Sequence, residues 1–175
     1  MKFCSNCGSP VVKRVPPGDS LPRYLCDGCG SIHYQNPKLV VGALPEWQGR
    51  LLLCRRAIEP RYGYWTLPAG FMENGETAGD AALRETLEEA GARIELASPF
   101  SMVSVPAVNQ VHLFYRAHLL DLEFKPGAES IEVALFEEAA VPWAQIAFRT
   151  VGITLRHWFA DRAAGAYGFH AEDIK

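Results

Sequence analysis

The sequence predicts an α/β (α+β) fold, a mixed sheet sandwiched between helices, behind a small cysteine-rich N-terminal unit. Three observations carry that expectation. Apolar, β-rich segments recur between residues 38 and 136. Helix start and stop signals frame residues 77–91, and a second helical pattern closes the chain. Four of the five cysteines fall in two C-x2-C pairs within the first 29 residues. With 175 residues, 49% hydrophobic and 21% charged, the chain suits one enzyme-sized core and an appendage. A formal net charge of −3 excludes a general polyanion binder. No apolar run approaches the ~18 residues that span a bilayer, and no charged-then-apolar leader is visible, so a cytoplasmic protein without a membrane partner is expected.

At the N-terminus, Cys4, Cys7, Cys26 and Cys29 form C-x2-C-x18-C-x2-C, and the halves CSNCGS and CDGCGS repeat each other. A glycine follows each pair, Gly8 and Gly30, and permits the tight turn that aims amides at thiolates. An oxidising compartment would pair these residues as two disulfides, but the spacing is that of a zinc site and nothing suggests export. Four thiolates leave no open coordination position, so the expected Zn²⁺ is structural. Lys2, Lys13, Arg14 and Arg23 outnumber Asp19 and Asp27 by two over residues 1–36, and Zn²⁺ with four thiolates adds roughly −2, so no basic face remains. A scaffold or dimerisation role follows rather than nucleic-acid tracking. Cys54, in the run LLLC, reads as a buried strand residue.

Residues 38–44 and 50–56 read as apolar strands joined by the turn-like PEWQG, after a boundary at HYQNPK near Asn36. Residues 65–71 read as one strand entering a glycine turn. A helix follows, with Thr77 and Asp80 as a capping pair and Gly91 at its left-handed end. At about 100° per residue, Gly79, Leu83, Thr86, Leu87 and Ala90 share the expected packing side. Glu85, Glu88 and Glu89 fall opposite. Residues 111–119 and 131–136 read as further strands, and 150–164 as a helix stopped by Gly165.

An acidic helix face is ordinarily a solvated one. Here like charges at i,i+3 and i,i+4 repel by ~0.2–0.5 kcal/mol per pair, and only Arg84 is placed to offset them. The cluster also keeps a fixed distance from Gly70 and Glu76, as G-x5-E-x7-R-E-x-x-E-E-x-G. Seven residue types at roughly 5–7% background frequency give a chance match on the order of 10⁻⁸ or less per frame. Carboxylates alone would repel a pyrophosphate, so hard cations must sit between the two sets of oxygens.

This pattern resembles the signature of the Nudix hydrolases, with every fixed polar and glycine position filled and Thr86 and Ala92 in its two apolar slots. The resemblance implies a Nudix-like mixed sheet between helices, with a zinc ribbon over residues 1–36 and a Nudix-type domain over 37–175. It implies Mg²⁺ or Mn²⁺ held by Glu85, Glu88, Glu89 and the Gly70 carbonyl, with Arg84 orienting a glutamate. Glu129 and Glu132 enter as candidates for a downstream glutamate brought to the metals, with surface charge beside a strand as the alternative. The order of ribbon and signature domain also resembles the NADH pyrophosphatases. Their S-Q-P-W-P-F-P-x-S array is matched here, in ASPFSMVSVPAVNQ, by Ser98, Pro99 and Phe100 at most. That departure argues against NADH; the chain more closely resembles a zinc-ribbon subgroup linked to ADP-ribose and FAD, and that resemblance implies one of these as substrate, giving AMP and a phosphate ester, with a homodimer as the related assembly.

For the nucleotide substrate, Arg55 or Arg56 could grip a phosphate bidentately while Tyr62, Tyr64 or Trp65 stacks on a base. Only one of two consecutive strand arginines can point to a given face. A non-catalytic nucleotide sensor and a ribbon-led nucleic-acid module remain as other classes; an intact acidic set argues against the first, and charge balance against the second.

Overall fold

The computed structural model describes residues 1–175, which divide into two units, Met1–Pro37 and Lys38–Lys175. The first is a three-stranded antiparallel sheet of β1 (Val11–Arg14), β2 (Arg23–Cys26) and β3 (Ile32–His33), with β2 central. Its repeated hexapeptides fold alike. The Gly8 amide donates to the Cys4 carbonyl at 3.0 Å and the Gly30 amide to the Cys26 carbonyl at 2.8 Å, with φ of 75° and 74° at the two glycines. Little else is buried in this unit beyond Cys4, Leu25 and Cys26.

In the second unit an eight-stranded mixed sheet carries the fold. Its strands are β4 (Lys38–Trp47), β5 (Arg50–Arg56), β6 (Trp65–Thr66), β7 (Ala69–Phe71), β8 (Ile94–Val105), β9 (Gln110–Leu119), β10 (Ser130–Phe136) and β11 (His170–Asp173). The main path runs β10-β5-β4-β9-β8-β11, parallel at β4/β9 and β8/β11 and antiparallel elsewhere. Period-two alternation splits the core between two helices. Leu51 and Leu53 of β5 pack with Val151, Leu155, Trp158 and Phe159 of α2 (Arg149–Ala164). Leu52 and Cys54 face the other way and join Ala90 of α1 (Ala78–Ala90).

One irregularity builds the site. Strands β4 and β5 pair only at their hairpin end, Glu46 with Leu51 and Trp47 with Arg50. Residues 65–71 enter the gap between them. They form not the single expected strand but two pieces broken at Leu67–Pro68, because β6 registers on β5 and β7 on β4. Gly42 makes room for the crossing, since a Cβ there would collide with the Pro68 carbonyl and Ala69.

Strand β4 runs on through Pro45–Trp47, so the turn is confined to Gln48 and Gly49, both at positive φ. Two elements, β8 and β11, have no counterpart among the expected strands. Register shifts at Leu96/Pro99 and Pro99/Ser101 interrupt the alternation of β8. The sequence of β11, His-Ala-Glu-Asp, carries no apolar period at all. No helix is long and apolar enough to cross a membrane.

The loop before β10 packs on the end of α1. Lys125 and Gly127 donate amides to the Ala90 and Glu89 carbonyls at 2.9 and 3.0 Å, which satisfies two orphan carbonyls of the last helical turn. A Cβ on Gly127 would strike the Glu88 carbonyl. Gly127→Ala is therefore expected to cost about 1–3 kcal/mol through overpacking, seen as a lower denaturant midpoint at unchanged slope.

Candidate active site

Helix α1 begins and ends where its sequence signals place it. Thr77 and Asp80 form the capping box, the Asp80 amide donating to Thr77 Oγ1 at 3.1 Å and the Thr77 amide to Asp80 Oδ2 at 3.2 Å. Gly91, at φ 58°, donates to the Leu87 carbonyl. Its packing face differs from the expected one. Ala81, Ala82, Glu85, Thr86, Glu89 and Ala90 are buried, whereas Leu83 and Leu87 are exposed. The wedge strand explains the reversal: β7 passes so close beneath α1 that a Cβ on Gly70 would collide with the Glu85 carboxylate. Methyl-sized side chains suit that approach and leucines do not, so two of the three glutamates lie on the buried side.

Arg84 organises the cluster. Its Nε and Nη2 donate to both oxygens of Glu76 at 3.0 and 2.8 Å, and its Nη1 donates to Glu85 at 2.6 Å and to Glu88 at 3.2 Å. Nη2 also donates to the Phe71 carbonyl. One guanidinium thus ties the glycine-turn glutamate to the helix, and the hydrogen bond from Arg84 holds the Glu76 carboxyl below its ordinary range.

The buried acids are less well compensated. Glu85 is 9% exposed and Glu89 7%. Burial raises the Glu85 carboxyl despite Arg84, and raises Glu89 to about 8, with the Glu85 charge adding to the effect and only the Ala69 amide, at 3.2 Å, donating to it. Two near-buried carboxylates, of which only Glu85 meets Arg84, are costly unless a cation joins them. Carboxylates are hard-oxygen donors of the kind that suits Mg²⁺ or Mn²⁺. The chemistry and burial of these acids therefore suit a divalent ion.

A cleft of about 1550 Å³ opens over this cluster. Gly70, Arg84, Glu85, Glu88, Glu89, Glu129, Arg56 and Tyr64 line it. The other sequence candidates lie elsewhere. Arg55 turns to the opposite side from Arg56, donates to the Gly63 carbonyl and sits 3.7 Å from Glu132, and neither lines the cleft. Trp65 is a core residue rather than a stacking platform, edge-on to Phe136 with centroids 4.8 Å apart. Tyr62 is exposed outside the cleft.

The far wall was not legible. Trp143, Ile146, Phe148, Arg149, Thr150 and Arg156 line it, brought in by α2 and by the segment that docks on β6, where the Ala147 amide donates to the Trp65 carbonyl at 2.8 Å. His112 of β9 closes the cleft floor. Its ring nitrogens meet Gln110 Oε1 at 3.0 Å and Thr150 Oγ1 at 3.1 Å, an arrangement that suits the neutral Nε2–H tautomer. Burial lowers its pKa to about 4. Protonation thus favours the unfolded chain, and stability is lost as pH falls from about 6.5 towards 4. The loss is on the order of 3 kcal/mol. Melting curves of wild type and His112→Asn across that window should diverge, with the variant flatter.

In the N-terminal unit the four cysteine Sγ atoms all lie within 4.8 Å of one another. Cys7 and Cys26 are 3.4 Å apart, Cys4 and Cys29 3.6 Å, and all are free thiols. Sulfurs around a tetrahedral zinc stand about 3.8 Å apart at a Zn–S distance of about 2.3 Å, so the four residues fit the ion. Three of the unit's cations are locally engaged: Arg14 with Asp27, Arg23 with Asp19 and Tyr34, and Lys13 over Tyr24.

Two helices about a wedged mixed sheet, with a glycine turn and an acidic helix at one cleft, define the class of domain. The chain belongs to the Nudix family: the NUDIX domain model matches residues 37–160, and the Nudix N-terminal zinc-ribbon model matches residues 2–35. Over 99% of both chains it resembles the crystal structure of a NUDIX hydrolase from Nitrosomonas europaea, with 53% identity and a TM-score of 0.97. It is 30% identical over 89% of its length to the NAD-capped RNA hydrolase NudC of Chromobacterium violaceum, of which it covers 57%. It is 31% identical over 62% of its length to the ADP-ribose pyrophosphatase of Methanocaldococcus jannaschii, covering 67% of that protein. The chain thus spans little more than half of the first of these curated relatives.

Proposed function

We propose that this chain hydrolyses the pyrophosphate bond of a nucleoside diphosphate derivative in a divalent-cation-dependent reaction, ADP-ribose or FAD being the substrate and AMP plus a phosphate ester the products. The observation that carries this reading is the burial of Glu85 and Glu89 beside Glu88 in an open cleft with one arginine among them. Gly70, Glu85, Glu88 and Glu89 would hold Mg²⁺ or Mn²⁺. When bound, such an ion neutralises phosphate oxygens and acidifies water at the reacting phosphorus. Arg84 keeps Glu85 and Glu88 on the cleft side of α1, and Glu129 stands across from them to accept the proton of the attacking water. Glu132, held by Arg55, takes no part. Arg56 and Tyr64 contact the nucleotide.

A second reading, a nicotinamide dinucleotide free or linked to RNA, is favoured by the activity carried in the name of the Chromobacterium violaceum relative. The four cysteines bind one structural Zn²⁺, which suits the reducing cytoplasm. In a panel of ADP-ribose, FAD, NADH, NAD-capped RNA and nucleoside triphosphates with Mg²⁺ or Mn²⁺, one diphosphate-linked compound should yield AMP. Failure to cleave any of them, or full turnover by Glu88→Gln, would defeat the proposal.

A further inference from the structure

We propose that the α2 side of the cleft binds a phosphomonoester carried in addition to the scissile diphosphate, a statement that takes the position of the scissile bond from the hydrolase reading but replaces ADP-ribose or FAD, which carry no such group, with a ribose-phosphorylated dinucleotide. Two guanidinium stacks line this wall: Arg56 over Phe148 at 5.1 Å and Arg156 over Trp143 at 5.3 Å. Arg149, at the first position of α2, stands between them in sequence and lines the same cavity. Other arginines of the chain, such as Arg14, Arg23, Arg55, Arg84 and Arg93, have a carboxylate within 4.0 Å. Arg56, Arg149 and Arg156 have none, and neither do Arg50, Arg61, Arg116 and Arg162; what sets the three apart is that they share one wall of the cleft.

Stacking fixes a guanidinium's plane without using its in-plane N–H groups; Arg56 Nε donates to the Pro60 carbonyl at 2.9 Å, which leaves its two Nη groups to receive a phosphate bidentately. Three unpaired positive charges on one wall exceed what an uncharged base, ribose or flavin ring would need. The diphosphate's own charge is offset across the cleft, where the glutamates gather cations. What remains for the α2 wall is a second anion on the same ligand, such as a ribose 2′- or 3′-phosphate.

Calorimetry on the full chain with Mg²⁺ tests this, using AMP, adenosine 2′,5′-bisphosphate and adenosine 3′,5′-bisphosphate as probes. One bisphosphate should bind at least about tenfold more tightly than AMP. Arg156→Gln should bring it within about threefold of AMP without changing AMP affinity, and Arg156→Lys, which keeps charge but not the fork, should fall between. Arg156 is exposed, so the fold should survive, and an unchanged melting temperature checks that. Equal binding of all three probes, with pyrophosphate cleavage intact, ends this inference and leaves the hydrolase reading standing. A bisphosphate preference in a chain that cleaves no pyrophosphate ends the hydrolase reading and leaves the phosphate site. Tighter binding of a 5′-phosphorylated oligoadenylate than of either bisphosphate would overturn the monoester assignment in favour of a phosphodiester.

Discussion

Glu89→Gln is expected to cut turnover by orders of magnitude and, in the metal-free protein, to raise stability. The carboxyl is 7% exposed and its pKa is lifted from 4.5 to about 8, first by burial and then by the neighbouring Glu85 charge. The unfolded chain ionises this group near 4.5, the folded chain only near 8, so the folded state is penalised progressively as pH rises through that window. At pH 8 the penalty is on the order of 4 kcal/mol. Glutamine keeps the shape and the acceptor for the Ala69 amide while removing the charge. Allowing for the loss of its own hydration, a net gain of roughly 2 kcal/mol, about 4–8 °C in melting temperature, is expected above pH 7 and none below pH 4.5. Turnover should fall by about 10²–10⁴-fold. Added Mg²⁺ should raise the wild-type melting temperature and leave that of the variant where it was. A variant less stable than wild type at pH 8 in chelator would show that the carboxylate is already compensated, and would remove the physical reason for a cation at this site.

The Glu89 and His112 effects oppose one another. As pH falls from 8 to 4.5 the protein gains stability from Glu89 and, below about 6.5, loses it through His112. Metal-free wild type should therefore show a broad stability maximum in mildly acidic buffer, and the two single variants should each tilt it in opposite directions.

The parts of this molecule readable in its sequence are those whose determinants are local. Thr77, Asp80 and Gly91 bound α1 to the residue because a cap and a left-handed stop act within one turn. Strand β5 likewise begins and ends as its apolar run does. The face of α1 was not readable, because leucine spacing is only a proxy for packing. What decides the face is how near β7 passes beneath it, a consequence of β4 and β5 opening to admit residues 65–71. Burial of Glu85 and Glu89 against the wedge is the opposite of what amphipathic counting implies.

The same limit governs the site. Glu85, Glu88, Glu89, Arg84 and Gly70 are fixed in mutual spacing by a helix and its preceding turn. The choice between Glu129 and Glu132, or Arg56 and Arg55, depends on which side of paired strands β5 and β10 each side chain leaves, and that waits on register. Trp143, Phe148, Arg156 and His112 carry no short-range signal. They reach the cleft through the docking of Ala147 on Trp65 and the bond between Thr150 and His112, contacts 82 and 38 residues apart in sequence.

The second large effect expected is at the ribbon. Cys26→Ser should unfold residues 1–37 while the melting transition of residues 38–175 persists. The reason is the shortage of anything else to hold the unit. Its buried apolar side chains, beyond the cysteines, come down to Pro16 and Leu25, and a chain of this length cannot build a stabilising core from those. Its strands are four, four and two residues long. Cys26 is the most buried of the four ligands, at 1% exposed, and burial pushes its thiol up to about 11 when no metal is present. A metal must therefore supply the free energy that ionises it, and structural zinc sites supply about 10–16 kcal/mol. Losing one thiolate forfeits most of that, far more than such a unit could replace. Metal analysis should read one zinc per wild-type chain and close to none in the variant, and amide exchange in residues 1–37 should become fast throughout. If Cys26→Ser kept both its zinc and its protected amides, the four cysteines would not be what holds this unit together.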